Sequence, residues 1–179
     1  MSNNKSCYIC GEEKFTLLWK KNSFDIVRCF SCGFTYVTNV PNNKQLNEFY
    51  RKFDYRDPIT AERRIRKDAV RTLRKLKRYI KKNSKLLDVG CGRGFLLDEA
   101  RKYGWEVFGI DYSTETVNYA KNILRLNVKQ GSVKTFISDI KYDVILLNQV
   151  IEHLDNPHEV IQKCYELLNE NGIFYIATP

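Results

Sequence analysis

Cys7-Tyr-Ile-Cys10-Gly11 and Cys29-Phe-Ser-Cys32-Gly33 set four thiols in two matching pairs, with eighteen residues between the pairs. A two-residue gap lets one tight turn aim two thiolates at one ion. The glycine after each pair permits the positive φ that such a knuckle uses. A redox dithiol would occur once and open a helix, and a rubredoxin-like iron site is the other metal reading. The doubled pattern favours Zn²⁺ held by Cys7, Cys10, Cys29 and Cys32. With all four positions filled by protein, the ion serves folding rather than chemistry. Of the two remaining cysteines, Cys164 falls on a helical pattern and reads as a small core residue.

The second constellation is Asp88-Val-Gly90-Cys-Gly92-Arg-Gly94. A dinucleotide turn reads G-x-G-x-x-G, and neither Gly90 nor Gly92 as its first glycine completes that pattern. Asp111 lies seventeen residues past Gly94, at the end of the next strand pattern, where a carboxylate can accept both hydroxyls of a ribose. A nucleoside therefore fits either cofactor class. The altered glycine spacing and the acid at 88 favour a ligand without pyrophosphate and with an ammonium to satisfy.

Alternating elements must position these residues. Leu86–Val89, Glu106–Ile110, Val128–Gln130, Tyr142–Leu147 and Gly172–Thr178 read as strands. Helices are expected over Phe95–Tyr103, from a Ser113 or Thr114 cap to about Leu126, and from an Asn156 cap with Pro157 at its first position to about Asn169. Such alternation predicts an α/β fold, a Rossmann-like parallel sheet of order 3-2-1-4-5 with the glycine turn at its switch point. In front, Phe15–Trp19, Phe24–Val27 and Phe34–Val37 read as short strands carrying the cysteine turns, a zinc ribbon over 1–40. Residues 41–85 form a helical lead-in and 86–179 the core of the second domain, with apolar residues at 46, 49, 50 and 53 at helical spacing.

The chain has 179 residues and a formal charge of +9, but twelve Lys and Arg against Glu62 and Asp68 fall within 61–85, and the rest of the chain sums to −1. Ile65, Ala69, Leu73, Leu76 and Ile80 give that segment one apolar helical face. A solvated basic helix is the plainer reading and an RNA or phosphate track the sharper one. No run approaches the roughly 20 apolar residues of a membrane span, and the first residues carry no secretory pattern, so a reducing cytoplasm is expected.

Leu86-Leu-Asp-Val-Gly-Cys-Gly-Arg-Gly-Phe95, Val107-Phe-Gly-Ile-Asp111 and Tyr142-Asp-Val-Ile-Leu-Leu-Asn-Gln-Val-Ile-Glu-His-Leu154 together resemble the class I S-adenosylmethionine-dependent methyltransferases over roughly residues 60–179. The four-cysteine segment in front is similar to a subgroup associated with sugar and surface-polysaccharide biosynthesis. The resemblance implies S-adenosylmethionine as cofactor, with Gly90 and Gly92 beside its methionine part and Asp88 on its ammonium side. It puts Asp111 on the ribose and Tyr112 beside the adenine, with Cys91, Ser132 and Asn148 completing the cofactor's surroundings. Where the family often has an acid after the third strand, Gly131-Ser132 stands here.

Methyl transfer is an in-line displacement that rests on alignment, and an alcohol or carbon nucleophile adds the need for a base. His153, after the fourth strand, is the candidate, with Tyr50 and Tyr55 as distant seconds; the competing reading is a residue that braces the loop. Glu152 reads as a loop or cofactor-side residue and His158 as solvated. Family members continue with a helix and an antiparallel strand pair, so a chain truncated after strand five, with that strand as an exposed edge, is expected. The expected function is methyl transfer to a small molecule, a sugar or polysaccharide precursor. An RNA methyltransferase and a non-catalytic zinc-ribbon module are the alternatives.

Overall fold

A computed structural model describes residues 2–3, 6–40, 58–154 and 156–178. Contacts divide the chain into residues 1–56 with 155–158 and residues 57–154 with 159–179.

In the first unit, β1 (Ser2–Asn3) pairs antiparallel with β5 (Asn39–Val40). β2 (Phe15–Lys21), β3 (Phe24–Cys29) and β4 (Thr35–Val37) form an antiparallel sheet. Asn22 takes φ 55° at the β2–β3 turn, a conformation asparagine tolerates better than most residues. Among the described residues, Cys7, Val27, Cys29 and Tyr36 make this unit's core.

The second unit holds β6 (Lys85–Val89), β7 (Glu106–Asp111), β8 (Asn127–Gln130), β9 (Tyr142–Asn148) and β10 (Leu168–Ala177). They run β8-β7-β6-β9-β10, every pairing parallel, which in chain order is 3-2-1-4-5. Successive residues of β6 and β9 serve opposite faces, as the period of two requires. Leu86, Val144 and Leu146 join one cluster with Ala69, Leu73 and Leu76 of α1 (Pro58–Leu76), Leu97 of α2 (Phe95–Ala100) and Val117 of α3 (Thr114–Asn122). Leu87, Ile145 and Leu147 join another with Val160, Cys164 and Leu167 of α4 (Pro157–Leu167). Cys164 is fully buried, as its helical pattern predicts.

Several boundaries differ from the sequence expectation, among them the end of α3 and the start of β10. α3 stops at Asn122 because Arg125 turns left-handed at φ 55°. The Leu126 amide then donates back to the Ala120 carbonyl, six residues earlier, at 3.0 Å, and Leu126 is turned inward. β10 starts at Leu168 rather than Gly172, because Asp143 holds both the Lys85 amide (2.8 Å) and the Asn169 side-chain amide (2.7 Å). The helical pattern at 46–53, with Tyr50 and Tyr55, lies outside the described residues. No helix among the described residues is long and apolar enough to cross a membrane.

Candidate functional site

The turn after β6 holds three glycines in the left-handed region: Gly90 at φ 77°, Gly92 at 54° and Gly94 at 79°. The Gly90 and Cys91 amides both donate to the Ile110 carbonyl, at 2.8 and 3.1 Å, stitching the turn to β7. A Cβ on Gly94 would lie 2.6 Å from Leu126 Cδ1, so the turn rests against the end of α3. A Cβ on Gly90 would lie 2.5 Å from Val150 Cγ2. On that side Gly90 is packed against Val150, whereas a Cβ on Gly92 would meet nothing within 4 Å. Gly109, inside β7, lets Cys91 Sγ and Leu97 pack against bare backbone, each 2.7 Å from where its Cβ would stand. The Cys91 side chain consequently packs in the core, its thiol buried and pushed far up in pKa by that burial.

Two carboxylates face the turn. Asp88 is 4 % exposed, and burial, then the nearby Asp111 charge, push it up to about 8. Asp111 is half-buried and already engaged. Its Oδ2 accepts from the Gly92 amide at 2.7 Å, and its Oδ1 from the Ser113 amide and the Thr116 hydroxyl, both at 2.9 Å. A carboxylate has about four acceptor positions, so Asp111 retains capacity for one further donor. Arg93 leans outward, 3.3 Å from Glu115 and over the Tyr119 ring at 5.2 Å.

Tyr112 follows Asp111 with 57 % of its surface exposed. Ser132 caps a 3₁₀ turn over Val133–Thr135, its hydroxyl accepting from the Lys134 amide at 3.2 Å. Asn148 closes β9 opposite Ala177. Gln149 then adopts φ 59°, and its amide donates to the Ala177 carbonyl at 2.7 Å. This strained step delivers Val150 onto Gly90 and begins the 3₁₀ turn Ile151–His153. The His153 side chain is 51 % exposed, with Nε2 4.0 Å from Glu152 Oε1. His158 is exposed. Val150, Thr116 and Gly109 escaped the sequence reading. Only Gly109 carried a signal, since a lone glycine inside a strand marks a close approach.

In the first unit the four thiols converge. Cys7 Sγ lies 3.6 Å from Cys32 Sγ and Cys10 Sγ 3.5 Å from Cys29 Sγ, and all four fall within 4.8 Å of one another, with no disulfide formed. Gly11 (φ 76°) and Gly33 (φ 74°) end the two knuckles, their amides donating to the Cys7 and Cys29 carbonyls. The Cys32 amide donates to Cys29 Sγ at 3.5 Å and leads the influences that hold that thiol down at about 7. A tetrahedron with Zn–S of about 2.3 Å puts its sulfurs about 3.8 Å apart, so donor set and spacing suit one ion.

The chain is 38 % identical over 102 residues to the ubiquinone biosynthesis O-methyltransferase of Pelagibacter ubique, covering 54 % of this chain and 42 % of that protein. It is 37 % identical over 105 residues to the protein of the same name in Glaesserella parasuis, covering 52 % of this chain and 44 % of that one. The chain thus spans somewhat under half the length of these curated relatives. Among solved structures, the plantazolicin methyltransferase in complex with SAH superposes with a TM-score of 0.57 at 26 % identity, over 75 % of this chain and 53 % of that one. Coclaurine N-methyltransferase bound to N-methylheliamine and SAH gives 0.53 at 25 %, over 60 % and 35 %. A family described as "Methyltransferase domain" matches residues 61–179. From that match, over the unit that carries the glycine turn and both carboxylates, the chain belongs to the methyltransferase-domain family.

Proposed function

We propose that the second unit binds S-adenosylmethionine and methylates an oxygen of a small-molecule acceptor. The observation that carries this reading is the pair Asp88 and Asp111 across a turn whose open glycine is Gly92. When bound, the cofactor supplies an electrophilic methyl group on a sulfonium. Its ammonium suits Asp88, a buried acid that a cation would stabilise in its charged form, and its ribose suits the remaining acceptor capacity of Asp111. Tyr112 offers an exposed ring for the adenine, with Ser132 and Asn148 at the ends of neighbouring elements. His153 is the candidate to take a proton from an acceptor hydroxyl, being half-exposed and on the turn that Val150 anchors. The named relatives act in ubiquinone biosynthesis, and the structural neighbours include plantazolicin and coclaurine enzymes. They lend no support to the sugar or polysaccharide acceptor expected from the sequence, and the small-molecule reading is kept without it.

Calorimetric titration with SAH, with NAD as control, tests the cofactor. SAH binding that weakens in Asp111→Ala supports the reading; NAD binding without SAH binding overturns it. In the first unit Cys7, Cys10, Cys29 and Cys32 would hold one Zn²⁺ as a structural ion, since all four positions would be filled by protein thiols that lie within 4.8 Å of one another.

A further inference from the structure

We propose that Thr116 is a positioning residue for the cofactor's ribose: it closes one oxygen of Asp111 and leaves that carboxylate to grip a single ribose hydroxyl. The proposal rests on the S-adenosylmethionine reading of the same site. Each carboxylate oxygen offers about two acceptor positions. Oδ1 of Asp111 fills both, with the Ser113 amide and the Thr116 hydroxyl, each at 2.9 Å. Oδ2 holds the Gly92 amide at 2.7 Å and keeps its second position. The donors come from the glycine turn, the loop after β7 and the first turn of α3, so they fix the carboxylate from three directions. An unencumbered aspartate can meet both hydroxyls of a ribose, one on each oxygen. This one has a position left on Oδ2 alone.

Thr116 holds one hydroxyl proton between two acceptors, since the Ser113 carbonyl also lies 3.0 Å from its Oγ1. Two things direct that proton to Asp111. The Ser113 carbonyl already accepts the Val117 amide at 3.1 Å. The carboxylate is charged, and charge-assisted hydrogen bonds are roughly twice as strong as neutral ones. The hydroxyl itself is held in place. Ser113 caps α3 by accepting from the Thr116 amide at 3.4 Å, which sets the backbone of Thr116. A β-branched side chain in a helix has few χ1 choices, and this one places Oγ1 back over the preceding turn. Thr116 is half-buried beside Val117, which enters the core. A serine at 116 keeps the donor, whereas a valine keeps the shape and loses it.

The test is calorimetric titration of the whole chain with SAH, with SAH lacking its 2′-hydroxyl and with SAH lacking its 3′-hydroxyl. In wild type one deoxy compound should bind within about threefold of SAH and the other at least about tenfold more weakly, the loss of a hydrogen bond to a charged acceptor. Thr116→Val opens Oδ1, so both deoxy compounds should then lose affinity alike, the gap between them closing to about threefold or less. Thr116→Ser should restore the wild-type gap. A purely structural part for Thr116 would move every affinity together and leave the gap unchanged, which overturns the proposal. Equal losses in wild type also overturn it, because they show the Thr116 proton swinging to the Ser113 carbonyl and yielding Oδ1, while the cofactor reading stands. Should Thr116→Val not fold, the wild-type gap still decides. No binding of SAH at all overturns the cofactor reading, and this proposal with it.

Discussion

The Gly92 amide donates to Oδ2 of Asp111 at 2.7 Å, so the acid expected to meet a ligand is also the clasp that closes the turn around it. The same carboxylate ties Ser113 and Thr116 at the start of α3. Asp111→Ala should therefore do two things at once. Losing a charged acceptor for two backbone amides should cost about 1.5–3 kcal/mol of stability, read by urea unfolding. SAH affinity should fall at least about tenfold, read by calorimetry. Loss of affinity with unchanged stability would mean that the clasp contributes nothing to the fold.

Gly90 and Gly92 should behave differently although both have positive φ. Gly90→Ala drives a methyl into Val150, 2.5 Å away, and should destabilise by about 1–3 kcal/mol. Trimming Val150 to Ala in the same chain should recover part of that loss, which a double-mutant cycle in urea measures. Gly92→Ala meets open space, so its stability cost should be about 1 kcal/mol of backbone strain alone, with SAH affinity reduced by crowding of the open side.

The strands were legible because alternation and buried runs follow from geometry alone. Leu86-Leu87 and Val144–Leu147 feed opposite faces of one sheet, and no other arrangement hides so many apolar neighbours. The acids and glycines of the turn were legible as types and spacing. What surrounds them was not. Val150 reaches Gly90 through a left-handed Gln149, a residue whose side chain does not announce that conformation. The end of α3 was obscured for the same reason, since Arg125 sits where glycine is usual. Cys91 looked like part of the turn because it is flanked by glycines, yet Gly109, eighteen residues on, opens the hole that takes its thiol inward.

Asp88 gives the site a pH signature. Its carboxyl is pushed up to about 8 by burial and then by Asp111, from an ordinary 3.8. The folded chain keeps a proton that the unfolded chain releases near pH 4, so the stability present below that pH is lost as pH climbs through about 8. Asp88→Asn should remove this slope and be the more stable form near pH 8, by at least about 1 kcal/mol in urea titrations at pH 5 and pH 8. A bound ammonium acts in the opposite direction by favouring the carboxylate. SAH affinity in wild type should rise with pH up to about 8, with proton release visible in buffers of different ionisation enthalpy.

The four thiols predict about one equivalent of zinc per chain, measured by atomic emission on protein purified without added metal. Chelation should unfold the first unit, seen as loss of its antiparallel-sheet amide protection, while the second unit keeps its protection and its SAH binding. Cys29→Ser should have the same effect, since a hydroxyl does not replace a buried thiolate. Protection that survives a metal-free preparation would show that the core around Val27 and Tyr36 suffices.

Arg66 joins α1 to the helix that follows the glycine turn. Its Nη1 donates to Asp98 at 2.6 Å and to Glu99 at 2.9 Å, its Nε to Glu62 at 2.7 Å, and its guanidinium lies 4.8 Å over the Phe95 ring. Hydrogen bonds to the three acids outweigh partial burial and hold the guanidinium firmly charged. Asp98 and Glu99 are themselves buried and keep Arg101 and Lys102 as further partners. Removing the guanidinium therefore strips each acid of one partner rather than all. Arg66→Met, which preserves the stem, should cost about 2–4 kcal/mol, below the full loss of a buried pair. Arg66→Lys should recover only part, because one ammonium cannot fork between α1 and α2. Asp98→Asn in the Arg66→Met background should relieve part of the penalty, since a neutral amide leaves less buried charge uncompensated. If the two substitutions add without coupling in urea unfolding, the cation over Phe95, rather than the ion pair, is what fastens α1 to the turn.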